Sequence, residues 1–420
     1  MCPPESADPI PGPPAGLRDR LRRLGVIGVA RRPEPALPAR AGSAGNGVEV
    51  IKTRFAVTHR HGRVLLGECL EALPASGEGG GAAQTVWLDT ETTGLAGGTG
   101  TYVFLIGLAS VDGTTFTVEQ FLLRRLSAEG QLLALLRERL AGARHLVTFN
   151  GRRFDWPLLE ARFVLTRLRP LAFDLHTDLI YPARRLWHRV LGTHRLSALE
   201  ADVLGAARTG DIAGWDIPRT YIEYLRSADR NTLEPILAHN RSDLLALIVL
   251  HATVSQVLRD PPGGCGPIDW EGAGVLLARR NEHDRAASCF EQALAGPIEP
   301  QDRWRVLRRC ARQYRRLGDG RRANERWEEA ARILTRGDRY RAQVLVEVAR
   351  ARKAAGDNAG AHAAAAEALG IARSLRIGRN SYPAGLINRL ERRAARLAEA
   401  VAQDRVGPAD RLDGALAGLT

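Results

Sequence analysis

Two carboxylates stand one residue apart in WLDTETTG, residues 87–94. Alternate side chains on an extended strand share a face, so Asp89 and Glu91 are expected to point the same way. Neighbouring carboxylates repel unless positive charge lies between them, and hard divalent cations prefer carboxylate oxygens. A third acid, Asp155, follows the turn signal Asn150-Gly151 in LVTFNGRRFDWPLL, near the start of an expected helix. An acid there also simply suits a helix N-terminus. His239 and Asp243 stand four residues apart in LAHNRSDLLALIVL, on one face of a strongly apolar helix. Each element alone has a bland reading: a solvated strand end, a helix-start acid, a satisfied His–Asp pair. Together, in this order, they point to a site for hard cations.

The surrounding elements read as an α/β domain over 85–256. TVWLD (85–89), TYVFLIGLASV (101–111) and TFTVEQFLL (115–123) are strand runs, the last two split by the turn signal Asp112-Gly113. SAEGQLLALLRERLAG then reads as an amphipathic helix capped by Ser127. HLVTFN is a buried strand, FDWPLLEARFVL a helix, and LAFDLH a strand that leads into a mostly helical region. This order predicts a mixed five-stranded sheet with flanking helices, its first strand central. Upstream, the segment 46–84 reads as a β-rich lead-in, with a hairpin broken at His61-Gly62 and a linker, GEGGGAA. The Pro-rich stretch 1–45 reads as a loosely packed arm.

From 262 to 405 only helices are expected. NEHDRAASCFEQAL, GDGRRANERWEEAA and GDNAGAHAAAAEAL align so that Ala286, Ala323 and Ala361 share one position, and Ala293, Ala330 and Ala368 another. Small residues at fixed helix positions let paired helices approach closely, as in tetratricopeptide-like repeats. A terminal helix over 382–402 would cap the stack, and 406–420 reads as a loose tail.

The net charge of +13 is carried almost wholly by arginine, since only Lys52 and Lys353 are lysines. Residues 85–256 are nearly neutral, with 19 basic and 18 acidic side chains, whereas 257–420 hold 30 and 21. A basic surface attracts polyanions such as nucleic acid. Arg305, Arg308, Arg309, Arg312 and Arg316 lie at helical spacing, and read either as a solvated face or as a phosphate track. No run of eighteen apolar residues occurs, so no membrane partner is expected. Five scattered cysteines without a CxxC pair fit a reducing cytoplasm. The glycine-rich GLAGGTG (94–100) lacks the Lys-Ser/Thr ending of a P-loop.

The segment from about 85 to 250 resembles the DEDD exonuclease superfamily and, more closely, the YprB-like ribonuclease-H-like family. The resemblance rests on the three acid-bearing elements, on GGTGTYVFLIGLA, DLIYPARRLW, RLSALEADVLG and DIAGWDIPRTYIEYL, and on His239-Asn240 ahead of Asp243. It implies a ribonuclease-H-like fold followed by helical repeats. It also implies a 3′-5′ exonuclease acting on single-stranded ends of DNA or RNA through two divalent cations, Mg²⁺ or Mn²⁺. The metal-binding positions fall on Asp89, Glu91, Asp155 and Asp243. His239 would serve as general base, or orient the water or contact substrate, and it stands four residues before the last Asp where the superfamily commonly has Tyr at that spacing or His at five. Thr92, Asn150, Gly151 and Asn240 are the expected substrate contacts. A structure-specific endonuclease using the same acids, and a scaffold that binds a protein partner through the repeats beside an inactive nuclease-like domain, remain alternatives.

Overall fold

The computed structural model describes residues 47–73, 81–94, 100–260, 267–335, 338 and 340–377, with scattered positions from 385 to 399. The arm 1–45, the tail 406–420, part of the 77–83 linker, the middle of the 94–100 loop and much of the expected 382–402 helix lie outside the described residues. The chain falls into two compact units, Met1–Leu179 with Leu204–His251, and Ile180–Val203 with Ala252–Thr420.

The first unit is built on a six-stranded mixed sheet. Its strands are β1 (Val48–Ala56), β4 (Thr85–Thr92), β5 (Val103–Asp112), β6 (Thr115–Leu123), β7 (His145–Thr148) and β8 (Leu175–Asp178), in the order β1-β6-β5-β4-β7-β8. The β4-β5-β6 meander is antiparallel, while β7 and β8 add in parallel beside β4. The sheet has six strands rather than the expected five, because β1 pairs along its whole length with β6 instead of standing apart. Its side chains alternate between half-buried and exposed, which suits an outermost strand. A separate hairpin, β2 (Arg60–His61) with β3 (Val64–Leu65), does turn at His61-Gly62.

Leu88, Phe104, Phe121, Leu132, Leu136, Leu159 and Phe163 form the core between one sheet face and the helices Glu129–Leu140 and Asp155–Leu165. The first of these helices begins at Glu129 after a short 3₁₀ turn, so Ser127 does not cap it. The other face carries the helix Glu234–Arg259, whose residues Leu244 to Leu250 are all buried. Burying a Leu or Ile fully contributes roughly 1.5–3 kcal/mol, so this helix is firmly held. It bears His239 and Asp243.

In the second unit, three consecutive helix pairs follow residue 269: Trp270–Arg279 with His283–Ala295, Pro300–Arg316 with Gly320–Ile333, and Arg341–Ala354 with Asn358–Ile377. Ala286, Ala323 and Ala361 are buried at equivalent points of the second helix in each pair. Small side chains there let the partner helix close in.

Candidate metal centre

Strand β4 pairs with β7 only over Thr85–Trp87, whereas its pairing with β5 runs on to Thr92. The parallel strands therefore part just before Asp89, which opens a crevice at their carboxyl ends. Ligands of α/β sheets settle in such crevices. Trp87, Asp89 and Glu91 alternate onto the face covered by Glu234–Arg259, where the Trp87 ring lies 6.1 Å from that of His251.

Across this crevice Asp243 meets Glu91. One ligand atom each from Glu91, His239 and Asp243 lies within 4.8 Å of the others, a candidate metal-holding group. Asp155, the first residue of its helix, accepts a 2.5 Å hydrogen bond from Thr90 of β4. Burial holds Asp89 well above the ordinary carboxylate range, and repulsion from Asp243, Glu91 and Asp155 raises it further. Glu91 is raised in the same way, by burial first and then by Asp243 and Asp155. Burial also pushes Asp155 up to about 6, against the opposing Thr90 bond. Asp89 and Glu91 thus belong to a donor set in which burial and like charges raise their proton affinity, opposed at Glu91 by Arg208. Oxygen-rich and half-buried, that set fits hard divalent cations.

A row of residues in register across the sheet fixes Asp89. Gln120 of β6 pairs with Gly107 of β5, which pairs with Asp89 of β4. Asn240 lies over Gly107, accepts from Gln120 Nε2 at 2.9 Å and donates to Asp89 Oδ2 at 2.8 Å. Any Cβ at position 107 would come within 2.3 Å of Asn240 Oδ1, so only glycine admits the bridge. Asn240, expected to touch substrate, is 0% exposed. Its amide is engaged instead by Gln120 and by the candidate ligand Asp89.

The other expected substrate contacts are placed as follows. The Thr92 hydroxyl donates to Gly94 O at 2.8 Å. Asn150 takes a left-handed φ of 66°, and Gly151 is buried against Thr148. That turn is held by an acid the sequence reading passed over. Buried Asp178 accepts from the backbone N–H of Asn150 at 2.6 Å and of Arg152 at 3.1 Å. It thereby aims the chain that carries Asp155 into the crevice.

Two further residues, on no periodic element, join the acids. Arg208 donates to Asp243 and forms an ion pair with Asp211 at 3.1 Å. Asp211 meets His239 Nδ1 at 2.7 Å, while His239 Nε2 lies 3.4 Å from Asp243 Oδ2. Burial alone would raise Asp211, but its bonds with His239 and Arg208 outweigh that and hold it low. With Nδ1 engaged by Asp211, Nε2 is the ring nitrogen that faces the acids. Asp211 opens a motif quoted for the family resemblance, and its acid–imidazole spacing could not be read without the fold.

In the second unit the fold divides the arginine row. Arg305 and Arg309 turn inward to Glu271, at 2.9 and 2.6 Å, and Arg189 joins them at 2.7 Å. Arg308 is half-buried over the Trp304 ring, whereas Arg312 and Arg316 are exposed. A single outward track through all five is therefore corrected: Glu271 takes two of them as structural partners.

Residues 86–255 match a family described as RNase H superfamily. The uncharacterised protein YprB of Bacillus subtilis (strain 168) is 30% identical over 317 residues, covering 72% of this chain and 75% of YprB.

Proposed function

The chain belongs to the RNase H superfamily, in one family with YprB, and from that premise we propose that it is a metal-dependent 3′-5′ exonuclease of the DEDD type. Its substrates are single-stranded ends of DNA or RNA. The observation that carries this reading is the convergence of Glu91 and Asp243, from a strand and a helix remote in sequence, to ligand atoms within 4.8 Å. Asp89, Glu91, Asp155 and Asp243 would hold two Mg²⁺ or Mn²⁺ ions. When bound, such ions activate a water and offset the charge that builds on a phosphodiester under in-line attack.

The chain's own groups supply the rest. Asn240 engages Oδ2 of Asp89, which leaves Oδ1 to serve as a donor for an ion. Thr90 restrains Asp155 in the same manner. His239 accepts the attacking water's proton at Nε2, and Asp211 stabilises the imidazolium that results. We read the helix pairs of the second unit as tetratricopeptide-like and suited to a protein partner.

The test uses 5′-labelled linear and circular single strands with Mg²⁺ or Mn²⁺, alongside Asp89→Ala. A ladder of labelled products shortening from the 3′ end, absent in the variant, is expected. Nicked circles would replace the exonuclease with a structure-specific endonuclease. No metal-dependent cleavage of either substrate would refute the nuclease and favour the scaffold.

A further inference from the structure

The loop joining Leu204 to the helix Ile217–Ser227 is tied down at its start, its middle and its end. At its start, Leu204 O accepts from Arg63 N at 2.8 Å, and a Cβ on Gly62 would strike that same oxygen at 2.2 Å. The small β2–β3 hairpin thus braces the loop. Arg208 and Asp211 fasten its middle to Asp243 and His239 on the long helix. Ile212 packs on the core, and Ile217 is buried. Between them, Asp216 N donates to Ala213 O at 2.8 Å and closes a tight turn with Gly214 and Trp215 at its corners.

Trp215 is 75% exposed, the most exposed large apolar side chain among the described residues. The contrast within the chain is instructive. Of seven tryptophans, Trp87, Trp156, Trp187, Trp304 and Trp327 are buried and Trp270 is half-buried. Four peptide units separate Trp215 from Asp211, a reach of at most about 14 Å, or a few nucleotides of strand. Arg208, in the same loop, adds positive charge beside the acids.

Resting on the nuclease reading above, we propose that Trp215 is a base-stacking platform, the subsite that takes an unpaired nucleobase of a strand whose end lies among the acids. An indole face suits any base, so the platform selects single strands without selecting sequence. A base inside a duplex has both faces already stacked and cannot use it.

The experiment measures binding of a fluorescently labelled, unstructured 20-nucleotide single strand and of a blunt duplex of the same length. It uses full-length protein in Ca²⁺, under conditions where no product forms. Trp215→Ala should weaken single-strand binding roughly 5- to 150-fold. Trp215→Phe should restore it to within a few-fold, and duplex binding should be the same for all three proteins. Melting temperatures should also agree, because the side chain is in water. Single-strand affinity unchanged in Trp215→Ala overturns the platform and leaves the loop to a protein partner. Trp215→Leu binding as well as Trp215→Phe overturns it too, since apolar contact would then suffice. If the wild-type protein cleaves the single strand in Mg²⁺ while Trp215→Ala binds normally, only the platform fails. If the wild type neither binds nor cleaves, the nuclease reading fails with it.

Discussion

Glu271 in the helical unit and Asp89 in the sheet unit are both carboxylates drawn largely out of water, yet they are shifted in opposite directions. Around Glu271, burial is outweighed by Arg305, Arg189 and Arg309, and its carboxyl is held down at about 2. Around Asp89, burial is joined by three more acids, and only the Asn240 amide opposes them. The first cluster carries its own cations in the sequence and is complete. In the second, Arg208 pairs with Asp243 and Asp211 while Asp89 is left among like charges that the fold keeps in place. Buried carboxylates alone therefore do not mark a functional site; the sign of what surrounds them does.

The strongest way to break this contrast is to neutralise Asp89. Asp89→Asn should lower metal-dependent cleavage by at least about 10³-fold, since several kcal/mol of transition-state stabilisation depend on the bound ions. The same substitution should raise the melting temperature in EDTA at pH 8, because it relieves repulsion. A lower melting temperature would show that Asp89 is balanced after all.

Glu271→Gln should do the reverse. It leaves three arginines facing a neutral amide and costs about 2–3 kcal/mol, below the value for a wholly buried pair because the arginines are partly in water. Denaturant unfolding followed by helix signal would measure it, while calorimetric titration with Mn²⁺ should give wild-type affinity. Gly107→Ala sharpens the other side by pushing Asn240 off Asp89. Mn²⁺ affinity should fall roughly 10- to 100-fold, the usual effect of losing a partner behind a ligand. An unchanged affinity would remove the cross-sheet bridge from the account.

The smallest effect concerns pH, and the two clusters give it opposite signs. Asp89, Glu91 and Asp155 have raised carboxyls, Asp155 to about 6. Their favourable contribution is full below the unfolded value of about 4 and is lost as pH rises through 6 and beyond. Glu271, held at about 2, contributes above the unfolded value of about 4 and loses that contribution only as pH falls through 2. Stabilisation by Mg²⁺ should accordingly be a few degrees larger at pH 8 than at pH 5. A shift independent of pH would argue that the acids do not take up the ion.

Much of this arrangement could be read from the chain. Strand alternation aligned Asp89 with Glu91, helical spacing paired His239 with Asp243, and the Asn150-Gly151 turn announced the approach of Asp155. What escaped depends on contacts between elements. Gln120 and Gly107 matter only because β6, β5 and β4 bring them level with Asp89, a register no local pattern states. Strand β1 looked like part of a separate hairpin because its partner β6 lies far along the chain. Arg208 and Asp211 sit in an irregular loop without periodicity, and nothing there betrays which way a side chain turns. For the arginine row, helical spacing gave the positions, but the inward pull of Glu271 came from another helix.

The bare backbone at Gly107 has a consequence for how the chain folds. Were β5 to slip by one residue against β4, Ile106 or Leu108 would occupy the gap that Asn240 now fills. The helix could not seat, and the acids would not assemble. Only a correctly aligned sheet can therefore bring the four acids together, so the candidate metal centre forms in the native register alone.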